Sequence, residues 1–373
     1  MMIVAAVDSF KGCLDSLTVG NACREGILSV MPDAEVRVVA VADGGEGTVA
    51  AVMQSVSGRI KSCRAAGPLG EPVTASYGIS ANGSWAIMEM AQAAGLTLVP
   101  KGRRKPMLAN TFGCGEMILD ALDEGCRKIY MGLGGSATTD GGMGMLSALG
   151  VIFKNKKGYS LHPSGESLME IDSVDFSDID PRLREVEFRA LSDVENPLFG
   201  PEGAAYVFAA QKGASANEIE KLDSGLRKYA GVLNIAIRRD IAHLAGAGAA
   251  GGLGAAFLAL GSTIQSGVET VLDLIGFEKI IADAQLVITG EGRMDMQTLM
   301  GKTPYGIMKR AQRAGIPTVG ICGKVEAEAI DRLQASGFRA IYPVSAGQSP
   351  EQYMLHAVAR ANISRAASII ALG

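Results

Sequence analysis

Gln285-Leu286-Val287-Ile288-Thr289-Gly290-Glu291-Gly292-Arg293-Met294-Asp295 is an apolar run that breaks into a turn of glycines and charges. The first half has the character of a buried parallel strand, and the second half that of the carboxyl end of such a strand, where ligands bind in an open parallel sheet. The segments after it keep the same rhythm. Pro304 to Ala314 reads as a helix, Pro317 to Ile321 as a strand, Glu326 to Ala335 as a helix, Ala340 to Pro343 as a strand and Pro350 to Leu372 as a helix. That alternation implies a parallel sheet.

The chain opens in the same way. Ile3 to Val7 reads as a buried strand, with Asp8-Ser9-Phe10-Lys11-Gly12 as the polar turn at its end. Ser16 is placed to cap a helix running to about Met31, and Glu35 to Val41 forms a second strand that ends in Ala42-Asp43-Gly44-Gly45-Glu46-Gly47-Thr48. Between these ends the pattern changes. Ile60 to Ala65, Val73 to Ile79 and Trp85 to Met90 read as short strands of a mixed sheet, Asn110 to Glu124 as a helix, and Gly158 to Arg189 as a loose excursion. A strand beginning at Arg189 comes next, then helices over Asn217 to Ala245 and Ala255 to Leu260. The expected fold class is therefore α/β with two domains. One is a parallel-sheet, Rossmann- or flavodoxin-like domain built from both chain ends (residues 1–56 and 280–373), and the other is an inserted mixed α/β domain (residues 57–279). The ligand cleft is expected between them.

Composition agrees with this size. A chain of 373 residues exceeds what one core usually fills, and 48% hydrophobic against 20% charged residues excludes a disordered chain. The net charge of -4 offers no global attraction to nucleic acid or to an acidic membrane. Six cysteines form no C-x-x-C pair and read as reduced structural residues. The apolar start runs within a few residues into Asp8 and Lys11, as a first strand does and a signal peptide does not. The Ala/Gly-rich run Ala245 to Leu260 falls short of the roughly 20 apolar residues of a spanning helix. A soluble, cytoplasmic protein is expected.

At the centre lies Gly132-Leu133-Gly134-Gly135-Ser136-Ala137-Thr138-Thr139-Asp140-Gly141-Gly142, between the apolar Ile129-Tyr130-Met131 and the helical-looking Met143 to Leu149. A strand, glycine loop and helix in this order can cradle an anion, with Ser136, Thr138, Thr139 and the first helical N–H groups as donors. Asp140 repels an anion unless a cation lies between them, so it reads as a magnesium ligand or as the helix cap.

Two near-matches fail on context. Gly246-Ala247-Gly248-Ala249-Ala250-Gly251 has the spacing of a dinucleotide fingerprint, but Asn234 to Leu244 before it reads as a helix and not a strand. Gly301-Lys302-Thr303 looks like the end of a phosphate loop whose leading glycine position holds Met296. His162, His243 and His356 lie away from the glycine turns and make no nucleophilic triad.

What remains is a series of polar turns, each at a strand end: Asp8 to Gly12, Asp43 to Thr48, Ser136 to Gly142, Asp193 to Asn196, and Thr289 to Lys302. So many acidic glycine turns in a sparsely charged chain point to chemistry. Lys11, Arg293 and Lys302 suit phosphates while carboxylates such as Asp140, Asp193 and Asp295 suit Mg²⁺, the division that phosphoryl transfer requires. Asp193 follows a strand and stands beside the rigid Asn196-Pro197 turn, which marks it as the base or orienting group for an attacking hydroxyl, with Arg293 neutralising charge on the transferred phosphoryl group.

Taken in order, these turns resemble the bacterial glycerate kinase family. The likeness covers essentially the whole chain: Asp8 to Gly12, Ala42 to Thr48, Gly134 to Gly142, Asp193-Val194-Glu195-Asn196-Pro197-Leu198, Gln211-Lys212-Gly213-Ala214, Gly246 to Gly254 and Thr289 to Lys302. Ser9 stands where the family pattern has Lys, and Thr139 where it often has Asn. The resemblance implies ATP-dependent phosphorylation of D-glycerate to 2-phosphoglycerate, with ATP and Mg²⁺ as cofactors. Asp193, Lys11 and Arg293 are the expected catalytic set; Asp8, Ser9, Asp43, Glu46, Ser136, Thr138, Thr139, Glu291 and Lys302 are expected on substrate and phosphate; Asp140 and Asp295 are expected on the metal. No nucleic-acid or membrane partner is expected, and a homodimer is left open. The competing readings are an NAD-dependent oxidoreductase using Gly246 to Gly251, and a small-anion-binding protein without turnover.

Overall fold

A computed structural model describes residues 1–345 and 347–373. Its strands in chain order are β1 (Met2–Val7), β2 (Glu35–Val38), β3 (Gly58–Ala66), β4 (Pro72–Ser80), β5 (Trp85–Glu89), β6 (Lys128–Gly132) and β7 (Ile152–Asn155). They continue as β8 (Ile171–Asp175), β9 (Glu187–Leu191), β10 (Thr263–Gln265), β11 (Leu286–Met294), β12 (Thr318–Val325) and β13 (Phe338–Pro343). The fold is α/β, and its contacts group into two units. One comprises residues 1–43, 50–56 and 266–373; the other comprises 44–49 and 57–265.

In the first unit the sheet order is β13-β12-β11-β1-β2, all parallel. Numbered within the sheet this is the flavodoxin-like order 2-1-3-4-5, whose ligand crevice opens where the strand order reverses, at the carboxyl ends of β1 and β11. Strand β1 is buried along its whole length, as a central parallel strand should be. Helices cover both faces. Ser16–Val30 and His356–Leu372 share a core with Ile3, Ala5, Val7, Ile288 and Ile321, while Thr303–Arg313 and Ala327–Ser336 close a smaller core around Met294, Met308 and Phe338 on the other side.

In the second unit the order is β10-β9-β6-β5-β4-β3, parallel from β10 to β5 and antiparallel from β5 to β3. Registers align Glu89 with Gly132, Gly132 with Leu191 and Leu191 with Gln265. The turns after β5, β6 and β9 therefore leave the sheet at one level and on one edge. Its core is continuous from Tyr77 and Met88 through Met131 and Leu146 to Tyr229 and Phe257.

Several local expectations change. Asp15, and not Ser16, caps the first long helix, accepting from the Thr18 N–H at 2.7 Å. Ser16 instead donates its hydroxyl to the Val7 carbonyl and accepts from the Val41 N–H, tying the helix start to the ends of the first two strands. The excursion after Gly158 contains β8, which pairs with β7. The long helix expected to reach Ala245 spans Ala216–Ile237 and stops at Arg238, which has φ 55. Strand β11 runs on to Met294 because its pairing with β12 continues to Met294↔Val325, so Glu291 and Arg293 stand on a strand rather than in a turn.

Candidate functional site

The switch point of the first sheet is built from Asp8 and from the segment after Thr289. The Asp8 N–H donates to the Gly290 carbonyl at 2.8 Å, which fixes the end of β1 against β11. The Asp8 carboxylate accepts from the Ser9 N–H at 2.6 Å and from the Thr303 hydroxyl at 2.6 Å. Thr303 is the first residue of the helix Thr303–Arg313, with Lys302 as its cap position, so Asp8 faces a helix start where the partial charge is positive. Glu291 accepts from the Thr298 hydroxyl at 2.8 Å and lies 3.7 Å from the Lys302 ammonium. Lys302 also lies 3.7 Å from Asp295, whose other oxygen is 3.9 Å from Arg293.

Glu291 and Asp295 thus meet one ammonium, with Asp8 close enough for its charge to act on Glu291. Burial, followed by the charge of Asp43, lifts Asp8 to about 6. Burial lifts Glu291 to about 7 against the opposing pull of Lys302, with Asp8 and Asp295 adding to the rise. These are groups whose negative charge is costly until a cation arrives. Arg293 points outward, two-thirds exposed, and pairs with Glu326. Lys11 is exposed on the turn whose backbone lies against Gly292: a Cβ on that glycine would stand 3.6 Å from the Lys11 nitrogen.

The second unit's edge has another character. Asp140 is fully buried. Its oxygens accept from the Thr111 N–H at 2.9 Å, the Thr111 hydroxyl at 2.8 Å, the Gly144 N–H at 3.0 Å and the Gly142 N–H at 3.2 Å. With four donors on it and no exposed surface, Asp140 braces the start of the helix Met143–Ala148, whose cap position is Gly142, and the magnesium duty expected of it has no open oxygen to rest on. Burial raises its pKa and the donors lower it. Thr138 and Thr139 are also fully buried, their hydroxyls without partners among the described residues. Ser136 is half-buried at the loop's outer turn.

Glycine is required here for close approach. A Cβ on Gly132 would lie 2.2 Å from the Gly44 carbonyl oxygen, so the turn 44–48 packs backbone to backbone on the loop. The run Gly246 to Gly254 has the same explanation. Gly251, with φ 71, accepts from the Gly141 N–H at 3.0 Å, and its Cβ would fall 2.1 Å from the Thr138 carbonyl oxygen. The run is preceded by a turn and no strand, and it supports the central loop.

Glu89, absent from the sequence-based site, ends β5 beside Gly132 and accepts from the Val49 N–H at 2.8 Å. Burial raises its pKa. Its one signal in the sequence is a charge closing an apolar strand. Thr298, Thr303 and Lys212 lie in stretches that the sequence singles out, but their partners come only from the fold. Asp193 is exposed two residues beyond β9. Glu46 is exposed in the turn that packs on the loop, and Asp43 is exposed near Asp8. Among the described residues no three acidic, histidine or cysteine side chains converge on a point as an all-protein metal cage.

A parallel sheet that gathers carboxylates, a lysine and a helix start at its switch point has the place and the polar groups at which α/β proteins bind ligands. The chain belongs to the glycerate kinase family, which it matches over residues 3–372. It is 44% identical over 372 residues to a glycerate kinase of Bacillus cereus, covering all of this chain and 97% of the relative. It is 43% identical over 345 residues to the glycerate 2-kinase of Escherichia coli K12, covering 92% of this chain and 90% of the relative. The crystal structure of a glycerate kinase 2 from Salmonella typhimurium LT2 superposes with a TM-score of 0.88 at 41% identity, covering 100% of this chain and 97% of that one.

Proposed function

We propose that the chain transfers the γ-phosphoryl group of ATP to the 2-hydroxyl of D-glycerate, in a reaction that requires Mg²⁺. The hydroxyl oxygen forms a bond to the γ-phosphorus, the bond from that phosphorus to the bridging β,γ-oxygen breaks, ADP leaves, and the hydroxyl proton passes to a base. Whole-length similarity to named glycerate kinases supports the substrate, and the Escherichia coli relative's name supports the hydroxyl.

The observation that carries the reading is the charge balance at the switch point. Asp8, Glu291 and Asp295 form a cluster that is short of cations, with Lys302 in place and a helix start opposite. Mg²⁺ ordinarily takes one or two carboxylates plus phosphate oxygens rather than an all-protein cage. Asp295 and Asp8 fit that part and Asp140 does not. When bound, the ion would neutralise charge on the nucleotide phosphates. Lys302 and the Thr303 N–H at the start of Thr303–Arg313 suit a phosphate, Pro304 having no N–H and the Tyr305 and Gly306 N–H groups being bonded to the Lys302 carbonyl, with Lys11 and Arg293 as further positive charge from the same unit. Asp193 is the base in this reading, and Ser136 a loop hydroxyl for the substrate.

The test is incubation of the purified protein with Mg-ATP and a panel of hydroxy acids, following ADP and the phosphorylated acid. D-Glycerate should be turned over fastest, with 2-phosphoglycerate as product and no turnover in excess EDTA. Turnover undiminished by EDTA would remove the metal from the proposal, and no ADP formation with D-glycerate would remove the substrate.

A further inference from the structure

Lys212 lies at the end of a 3-10 turn, Ala210–Lys212, and is 1% exposed. The turn is closed by backbone bonds from Lys212, Gly213 and Ala214 back to Ala209 and Ala210, and Gly213 follows with φ 99. That geometry aims the side chain into the protein. Its ammonium donates to the Thr138 carbonyl at 2.6 Å, inside the glycine loop. The same carbonyl is hemmed in by Gly251, where no Cβ could fit. Two elements far from the loop in sequence thus close on a single peptide group.

An ammonium in such a place is costly to bury, and burial lowers the Lys212 pKa to about 7 against the opposing charge of Asp140. A leucine or methionine would fill the volume without that cost. The charge has a directional effect instead. It fixes which way the Thr138–Thr139 peptide faces, and Asp140 one residue on is fixed by its own four donors. Between them, the cation and the anion set the path of residues 136–142.

We propose that Lys212 is the positioning residue of the glycine loop, its buried ammonium holding the Thr138 carbonyl so that the loop keeps its ligand-binding shape. The effect on rate rests on the proposed kinase reading, whereas the effect on loop conformation does not. Lys212 is buried behind the loop and acts through it.

The experiment compares wild type with Lys212→Met by amide hydrogen exchange over residues 134–142, by melting temperature, and by kcat and KM for D-glycerate and Mg-ATP. The expected result is exchange in that segment at least about tenfold faster than in wild type, with the rest of the second unit unchanged. Alongside it, kcat/KM for D-glycerate should fall at least about tenfold. Loop exchange that changes no more than its surroundings, with normal kinetics on a less stable protein, overturns the proposal and leaves Lys212 a buried packing residue. Faster loop exchange in a protein whose wild type phosphorylates no hydroxy acid supports the positioning role and refutes the kinase reading instead. If Lys212→Met does not fold, the double variant Lys212→Met/Asp140→Asn removes both buried charges and is compared with Asp140→Asn alone by the same exchange and kinetic criteria, so that the difference belongs to Lys212.

Discussion

Asp8 and Asp140 come from similar sequence, each an aspartate in a polar turn with glycine beside a buried strand, and they end in different states. Asp8 is half-buried, shares its surroundings with Asp43, Glu291 and Asp295, and is pushed up to about 6. Asp140 is fully buried, accepts from four donors and has the Lys212 ammonium for a counter-charge. The first arrangement leaves negative charge unsatisfied at a surface, where a cation and a phosphate can complete it. The second is complete within the protein and stiffens the loop around it. An acidic glycine turn is thus not one kind of site. What separates the two is how many donors the surrounding backbone supplies.

The largest effect should come from the open cluster. Lys302→Met removes the ammonium that stands between Glu291 and Asp295, and kcat/KM for Mg-ATP should fall roughly 10²- to 10³-fold. Because Lys302 is a third exposed, its melting temperature should stay close to wild type. A variant that melts far earlier but turns over normally would place Lys302 with the scaffold and erase the contrast. Next comes Asp193→Asn, for which kcat should fall roughly 10²-fold with folding preserved if Asp193 is the base. If it only caps its turn, the loss should be about 1 kcal/mol of stability with near-normal kcat.

The third effect is one of pH. Glu291 has an ordinary value of 4.5 and a folded value of about 7, so its protonated form is favoured by folding. The stability this lends is fully present below 4.5 and is lost as pH rises through 7. The ligand-free protein should therefore lose on the order of 2 kcal/mol more than Glu291→Gln between those limits. Urea denaturation at several pH values measures the difference. Parallel curves for the two proteins would show that Glu291 is not held in the environment described.

The outline of this contrast is legible in the amino-acid order alone. Apolar runs ending in glycine and charge locate β1, β6, β9 and β11, because a buried parallel strand has few other ways to be written. The partners of those turns are hidden. Thr303 acts by meeting Asp8 across 295 positions of chain and Lys212 by meeting Thr138 across 74, and although both stand in stretches that draw notice, no local pattern gives either partner. Arg293 draws notice by sitting among glycines, but the β12 pairing that carries it along an extended strand to Glu326 is not visible there. The Gly246 to Gly254 run matches a nucleotide fingerprint in letters because close backbone packing and close ligand approach make the same demand, the absence of a Cβ.

The smallest expected effect is also the finest test of the contrast. Thr139 has the sequence setting of a donor to substrate, and its hydroxyl is buried without a partner among the described residues. Thr139→Val keeps the shape and replaces the hydroxyl by a methyl group. Where a buried hydroxyl makes no bond, that exchange should leave stability unchanged or raise it by about 1 kcal/mol, since the desolvation cost disappears with the group. If the loop serves as a closed scaffold around Asp140, kcat/KM for D-glycerate should stay within about threefold of wild type. If the hydroxyl turns to the substrate when the loop is loaded, the variant should keep its melting temperature and lose about tenfold or more in KM, the cost of one missing hydrogen bond to a charged group. Thr303→Val is the matching change at the open cluster. There the lost hydroxyl bonds the Asp8 carboxylate and lowers its pKa, so its removal should raise Asp8 further and move the acid limb of the rate profile to higher pH. A silent Thr139→Val beside a shifted Thr303→Val keeps the two regions distinct, and a KM effect at Thr139 would add its buried hydroxyl to Ser136 among the groups that bind the ligand.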